Sequence, residues 1–148
     1  MKILEIDTER QRLGRFGERA AARLLRRSGY RIRAKNFAPF DHEVDIVCEN
    51  REYIVFVEVK TRSIENSDPR EPRPASSVTP KKQRSVITAA KQYLAYYPSD
   101  KKKRLDIIEV YVTHKNGRNK VAEIKHLENT FNINSSRAGV RAAVKGRK

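Results

Sequence analysis

The chain has 148 residues, 38% of them hydrophobic, enough for one compact domain with a real core and too few for two. Its 33 Lys and Arg against 18 Asp and Glu give a formal charge of +15, which points to a polyanionic partner, nucleic acid before membrane. No apolar run of about 18 residues is present, so no membrane span is expected, and "MKILEIDTERQR" turns polar too early for a secretory signal, which leaves a cytoplasmic protein.

Residues 1–12 read as an N-terminal extension to a domain spanning 13–131. From Leu13 to Ser28, Leu13, Phe16, Gly17, Ala20, Ala21, Leu24 and Leu25 recur at helical spacing, and Gly29 stops the helix. The opposite face carries Arg12, Arg15, Arg19, Arg23 and Arg26, a basic stripe suited to phosphates; a solvated face is the plainer reading. Glu18 falls on the flank between the two, where a carboxylate can point along a sheet beneath.

Tyr30 to Phe37 predicts a first strand, followed by the turn-prone "APFDH". In Glu43 to Glu49, Val44, Ile46 and Cys48 share one face, Glu43, Asp45 and Val47 the other. A short turn then leads to "YIVFVEVKTR", Tyr53 to Arg62, making a hairpin. Cys48, the single cysteine, reads as a small buried hydrophobe, and the three histidines lack metal-ligand spacing.

Ser63 to Pro80 contains four prolines and little to bury, so residues 63–79 read as a mobile loop. Thr79 and Pro80 start a second helix, with Val86, Ile87, Ala90, Tyr93, Leu94 and Tyr97 as its apolar stripe. Arg104 to Val112 is a strand, Asn116-Gly117 the tip of a turn, and "VAEIKHL" from Val121 the returning strand. Residues 132–148 hold five Lys and Arg and no acid, and read as a disordered basic tail.

The chemistry concentrates on the strand Tyr53–Arg62. Ile54, Phe56, Glu58 and Lys60 share one face, and Val55, Val57 and Val59 the other, so the strand is covered on both sides and turns charged only at its end. A two- or four-residue turn would place Asp45 on the Glu58 face; a three-residue turn would place it on the wrong one. Asp45 and Glu58 together would repel unless a hard cation such as Mg²⁺ or Mn²⁺ lay between them, with the Val59 carbonyl completing its shell and Glu18 as a further acid. Lys60 would then orient a bound water or neutralise developing charge. The plain alternative is a Glu58–Lys60 surface ion pair. Arg15, Arg19, Arg23 and Arg62 are the candidate backbone contacts.

"EVDIV" followed by "FVEVKTR" resembles the D-(x)n-E-x-K core of the PD-(D/E)XK nuclease superfamily, whose restriction-endonuclease-like fold is shared by archaeal Holliday junction resolvases. "GRFGERAAARLLRRSGYRIRAKNF", "HEVDIVCE", "VFVEVKTR", "SVTPKKQRSVITAAKQYL", "RLDIIEVYV" and "HLENTF", in that order, resemble the uncharacterised bacterial YraN-like family. The resemblance implies an α/β fold with an αβββαβ core, a central mixed sheet flanked by helices. Asp45, Glu58 and Lys60 would be its metal and catalytic cluster, Glu18 the helix acid, Lys82 and Gln83 supports for the site. Glu43 also matches, as a supporting residue beside Asp45, while Asp106 reads as structural. Val44 stands where the superfamily name has its proline, a departure the family shares. The implied activity is Mg²⁺-dependent endonucleolytic hydrolysis of DNA, of branched or structured form by analogy with the resolvases, which work as dimers. Some superfamily members only bind, so a non-catalytic nucleic-acid-binding or assembly module is the other reading.

Overall fold

The computed structural model describes residues 8–65, 70 and 78–133. The elements run α1 (Glu9–Arg27), β1 (Arg31–Phe37), β2 (Val44–Glu49), β3 (Tyr53–Ser63), α2 (Pro80–Tyr96), β4 (Lys102–Lys115) and β5 (Arg118–Phe131). The sheet is mixed, its strands lying in sequence order: β1–β2, β2–β3 and β4–β5 are antiparallel, and β3–β4 is parallel with α2 as the crossover. No helix among the described residues is long and apolar enough to cross a membrane.

One core lies on each face of the sheet. Ala20, Ala21, Ala22 and Leu25 of α1 pack on Ile46, Cys48, Val55, Val57, Val59, Ile108, Val110 and Val112. Val86, Ile87, Ala89, Ala90 and Tyr93 of α2 pack on Val47, Ile54, Phe56 and Leu105 on the other face. β3 is therefore covered on both sides, as its unbroken apolar run requires. Val44 joins the α2 side instead of sharing a core with Ile46 and Cys48, so the alternation expected of β2 fails at its first residue. Burial pushes the Cys48 thiol up to about 12, as for an inert core residue.

α1 begins at Glu9, a turn earlier than apolar periodicity suggests. Thr8 and Gln11 form a reciprocal capping box that pairs the first free N–H groups of an otherwise polar turn. α2 starts at Pro80 with the Thr79 hydroxyl capping Lys82 N–H, as read from the sequence. Tyr97, expected in its buried stripe, lies past the helix end and is 58% exposed. Asn116 and Gly117, both at positive φ, make the turn between β4 and β5, the conformation for which Asn-Gly is suited. β5 is longer than expected, taking in "ENTF". Residues 66–69, 71–77 and 134–148, most of the expected mobile loop and basic tail, lie outside the described residues.

Candidate metal and nucleic-acid site

The hairpin register decides whether two acids meet. Glu49 pairs with Ile54 and Ile46 with Val57, so the same register sets Asp45 across from Glu58. The turn has two residues between Asn50 and Tyr53, whose backbones are bonded at 2.9 Å. Asn50 Oδ1 accepts from the N–H groups of Glu52 and Tyr53, fixing that length. Asp45 is thus on the side of the sheet that α2 covers, with Glu58 and Lys60.

Both acids are buried, Asp45 at 7% exposure and Glu58 at 3%. Val59 N–H donates to Asp45 Oδ2 at 2.8 Å, so the neighbouring strand's backbone aims one carboxylate at the other. Burial first, then the charge of Asp45, pushes the Glu58 carboxyl up to about 8 against the opposing pull of Lys82 and Lys60. Asp45 is also raised by burial, although the Val59 hydrogen bond, the two lysines and a hydrogen bond with Glu58 oppose it. Both shifts run the same way and favour a proton between the two carboxylates over two charges side by side.

Two lysines converge on the pair from different elements. Lys82 Nζ lies 3.6 Å from Glu58 Oε1 and Lys60 Nζ 4.0 Å from Oε2. The α2 cap sets the first distance: Thr79 starts the helix, and Lys82 in its first turn leans over the end of β3. Gln83, expected beside the site, donates instead to the Val78 carbonyl at 2.9 Å and stiffens the same turn.

Glu18 and Glu43 form a second acidic group. With the Asn36 amide nitrogen turned toward them, as two carboxylate neighbours demand, it donates to Glu43 Oε2 at 3.1 Å and Glu18 Oε1 at 3.3 Å. Burial and then the charge of Asp45 raise the Glu18 carboxyl, so the two groups feel each other. Asn36 sits at φ 51° within β1, a conformation asparagine tolerates. Nothing in the sequence reading singled it out, and the only local signal is a polar amide inside a strand.

Glu109 was also missed, although it carries the same signal as Glu58, an acid inside an apolar run. It pairs in register with Lys60, is 1% exposed, and accepts from the Tyr111 hydroxyl at 3.1 Å. Arg62 follows Lys60 on the same face of β3, and Arg15, Arg19 and Arg23 line the exposed surface of α1.

The donor chemistry fits a hard divalent cation at Asp45 and Glu58. One or two carboxylates, with waters and phosphate oxygens, suffice for Mg²⁺, and Glu58 Oε1 is buried without a hydrogen-bond partner among the described residues. No group of three or more His, Cys, Asp or Glu side chains among the described residues is assembled to hold a metal, and Glu18 stands with Glu43 around Asn36.

The chain is similar to the UPF0102 protein of Chlorobium phaeobacteroides strain BS1, 38% identical over 80% of this chain and 93% of the relative. It is 36% identical to the UPF0102 protein of Clostridium acetobutylicum over 83% of this chain and 96% of that one. With the UPF0102 protein of Syntrophotalea carbinolica, 37% identity extends over 84% and 95%. Residues 17–110, from the helix that carries Glu18 through the strand that carries Glu109, match the uncharacterised protein family UPF0102, and the chain belongs to that family.

Proposed function

We propose that this protein is a divalent-cation-dependent endonuclease of the PD-(D/E)XK kind, with a restriction-endonuclease-like core, hydrolysing phosphodiester bonds of branched or otherwise structured DNA in the cytoplasm. The observation that carries this reading is the buried Asp45–Glu58 pair, faced by Lys60 and Lys82 at the end of a strand covered on both sides. Burying two acids together is costly, and a fold retains such a pair where it has work to do.

Asp45, Glu58 and the Val59 carbonyl would hold the cation, Mg²⁺ or Mn²⁺, which when bound supplies Lewis-acid polarisation of the phosphate and a water of lowered pKa. The Val59 N–H keeps Asp45 in place, and the two cores keep β3 from moving under load. Lys60 and Lys82 hold positive charge where negative charge grows on the phosphate. Arg62 and the α1 arginines supply sequence-independent backbone contacts. Glu18 and Glu43, through Asn36, shape the field at Asp45.

One positive observation favours a second reading, a binding or assembly module. Lys82 at 3.6 Å already supplies the pair with a cation from the protein itself.

The test is cleavage of duplex, single-stranded, four-way-junction and RNA substrates by purified protein with Mg²⁺ or Mn²⁺. Asp45→Asn and Glu58→Gln are expected to abolish cleavage while salt-sensitive binding survives, because removing acidic charge favours a polyanion. Binding without cleavage of any substrate by the unaltered protein would establish the second reading instead.

A further inference from the structure

Phe40 is the most exposed large apolar residue described, at 85% of its surface, and it also sits at φ 56°. His42 N–H bonds to the Pro39 carbonyl at 3.0 Å, closing a β-turn in which Phe40 is the first central residue. A positive φ at that position is ordinarily given to glycine, because a side chain there costs about 1 kcal/mol or more. An aromatic ring left 85% exposed by the described residues, in a backbone conformation that penalises it, calls for a reason outside the folded core.

The turn is held firmly on both sides, and every anchor lies on the α2 side of the sheet. Phe37, before it, packs edge-on against Tyr93 at 5.3 Å. His42, after it, meets the Ser85 hydroxyl at 3.3 Å, and Val44 is fully buried in the α2-side core. Ser85 is one helical turn from Lys82, which faces Glu58, and Asp45 follows Phe40 by five residues. The turn therefore leaves the sheet at the Asp45 end of β2 and is tied to α2 one helical turn from Lys82. Lys81 and Arg84 are exposed on the same helix turn and Lys35 on the adjoining strand, while Asp41 in the turn itself and Glu43 just after it are acidic.

From this we infer that Phe40 is a stacking platform for an unpaired base, placed so that a strand whose phosphate reaches the Asp45–Glu58 pair lays a base on the ring. Stacking needs no hydrogen bonds and tolerates any base, so it selects unstacked or branched nucleic acid over intact duplex without reading sequence. The inference rests on the nuclease reading and gives it a substrate class.

The chain contains no tryptophan, so Phe40→Trp introduces a single indole at the turn. Its emission is expected to fall on titration with a base-bearing single strand and to stay unchanged with an abasic strand of equal length, which offers phosphates alone. Phe40→Ala is expected to weaken the base-bearing strand about tenfold and the abasic strand less than about twofold. Equal weakening on both strands, or a silent indole while the anisotropy of a labelled strand reports binding, would overturn the inference and leave the nuclease reading standing. If Phe40→Ala instead shifts the sedimentation of the protein without changing strand affinity, the ring is a protein contact and the inference fails. If the unaltered protein binds neither strand, both readings fall together.

Discussion

Burial and the charge of Asp45 together outweigh two lysines and raise the Glu58 carboxyl, which makes an ionised Glu58 a cost to the native state at alkaline pH. Its folded value of about 8 stands above the ordinary 4.5, so the native state binds a proton the unfolded chain has released. That contribution to stability is fully present below the ordinary value, shrinks as pH rises, and is gone above the folded value. Glu58→Gln mimics the protonated side chain at every pH. In a chelator-containing buffer it is expected to unfold like the parent near pH 4 and to be more stable by on the order of 2 kcal/mol near pH 9, read from urea unfolding at both pH values. A variant no more stable at pH 9 would show that Glu58 is not held protonated. The facing of Asp45 and Glu58 was legible as a condition, since strand parity left it to the turn length. Asn50 carried the missing signal, because an asparagine whose side chain accepts from the N–H groups two and three residues on favours the two-residue turn found here. Asn36 and its two acids were beyond reach, because the contact joins α1, β1 and the β1–β2 connection across three unrelated stretches of sequence.

At the scale of elements, α1 is pressed so closely on β3 that Gly17 has no room for a side chain: an added Cβ would lie 1.8 Å from Thr61 Oγ1 and 2.8 Å from its Cβ. Thr61 immediately follows Lys60, so this approach also fixes the end of β3 where the charges are. Gly14, one helical turn earlier, has nothing within 4 Å of the same added atom. Opposite outcomes are expected from one chemical change. Gly14→Ala should stabilise by about 0.5–1 kcal/mol through helix propensity, and Gly17→Ala should destabilise by about 1–3 kcal/mol through overpacking, both measured by urea midpoint. A Gly17→Ala protein as stable as the parent would mean that α1 can lift from β3 without cost. The apolar stripe made α1 legible as a helix that packs by one face, and Glu18 legible on its flank. Helical spacing put Gly17 on the packed face and Gly14 off it, but it says nothing about how near the backbones come, so the close contact at Gly17 was not legible.

For the whole molecule, the parallel β3–β4 pair forms the spine, and a buried charged network fastens the outer strands to it. Asp106 is fully buried and accepts from Arg104, from His126 Nε2 at 2.8 Å and from the Asn129 N–H at 2.9 Å. Arg104 also bonds the Tyr30 hydroxyl and lies 4.7 Å over the Tyr53 ring. The network thus joins the start of β1, the start of β3, β4 and the end of β5, which explains why "ENTF" continues as strand. Burial alone would raise the Asp106 carboxyl, and the hydrogen bonds from His126, Arg104 and Asn129 outweigh it and hold it below the usual carboxylate range. Its stabilising contribution is therefore present at neutral pH and is lost as pH falls through that lowered value. Asp106→Asn keeps the shape but leaves the Arg104 guanidinium, 7% exposed, with no buried counter-charge, only Glu128 at 3.8 Å with its side chain 58% exposed. The expected cost is about 3–5 kcal/mol by urea unfolding at pH 7, with part of it recovered when Arg104→Met and Asp106→Leu are combined, since a buried charge left alone costs more than a buried pair removed. Because neither Asp106 nor its partners Arg104, His126 and Asn129 are among the residues assigned to the strand or the cation, strand binding measured on the surviving folded fraction should be unchanged. A loss of binding at unchanged stability would instead make Asp106 part of the functional surface.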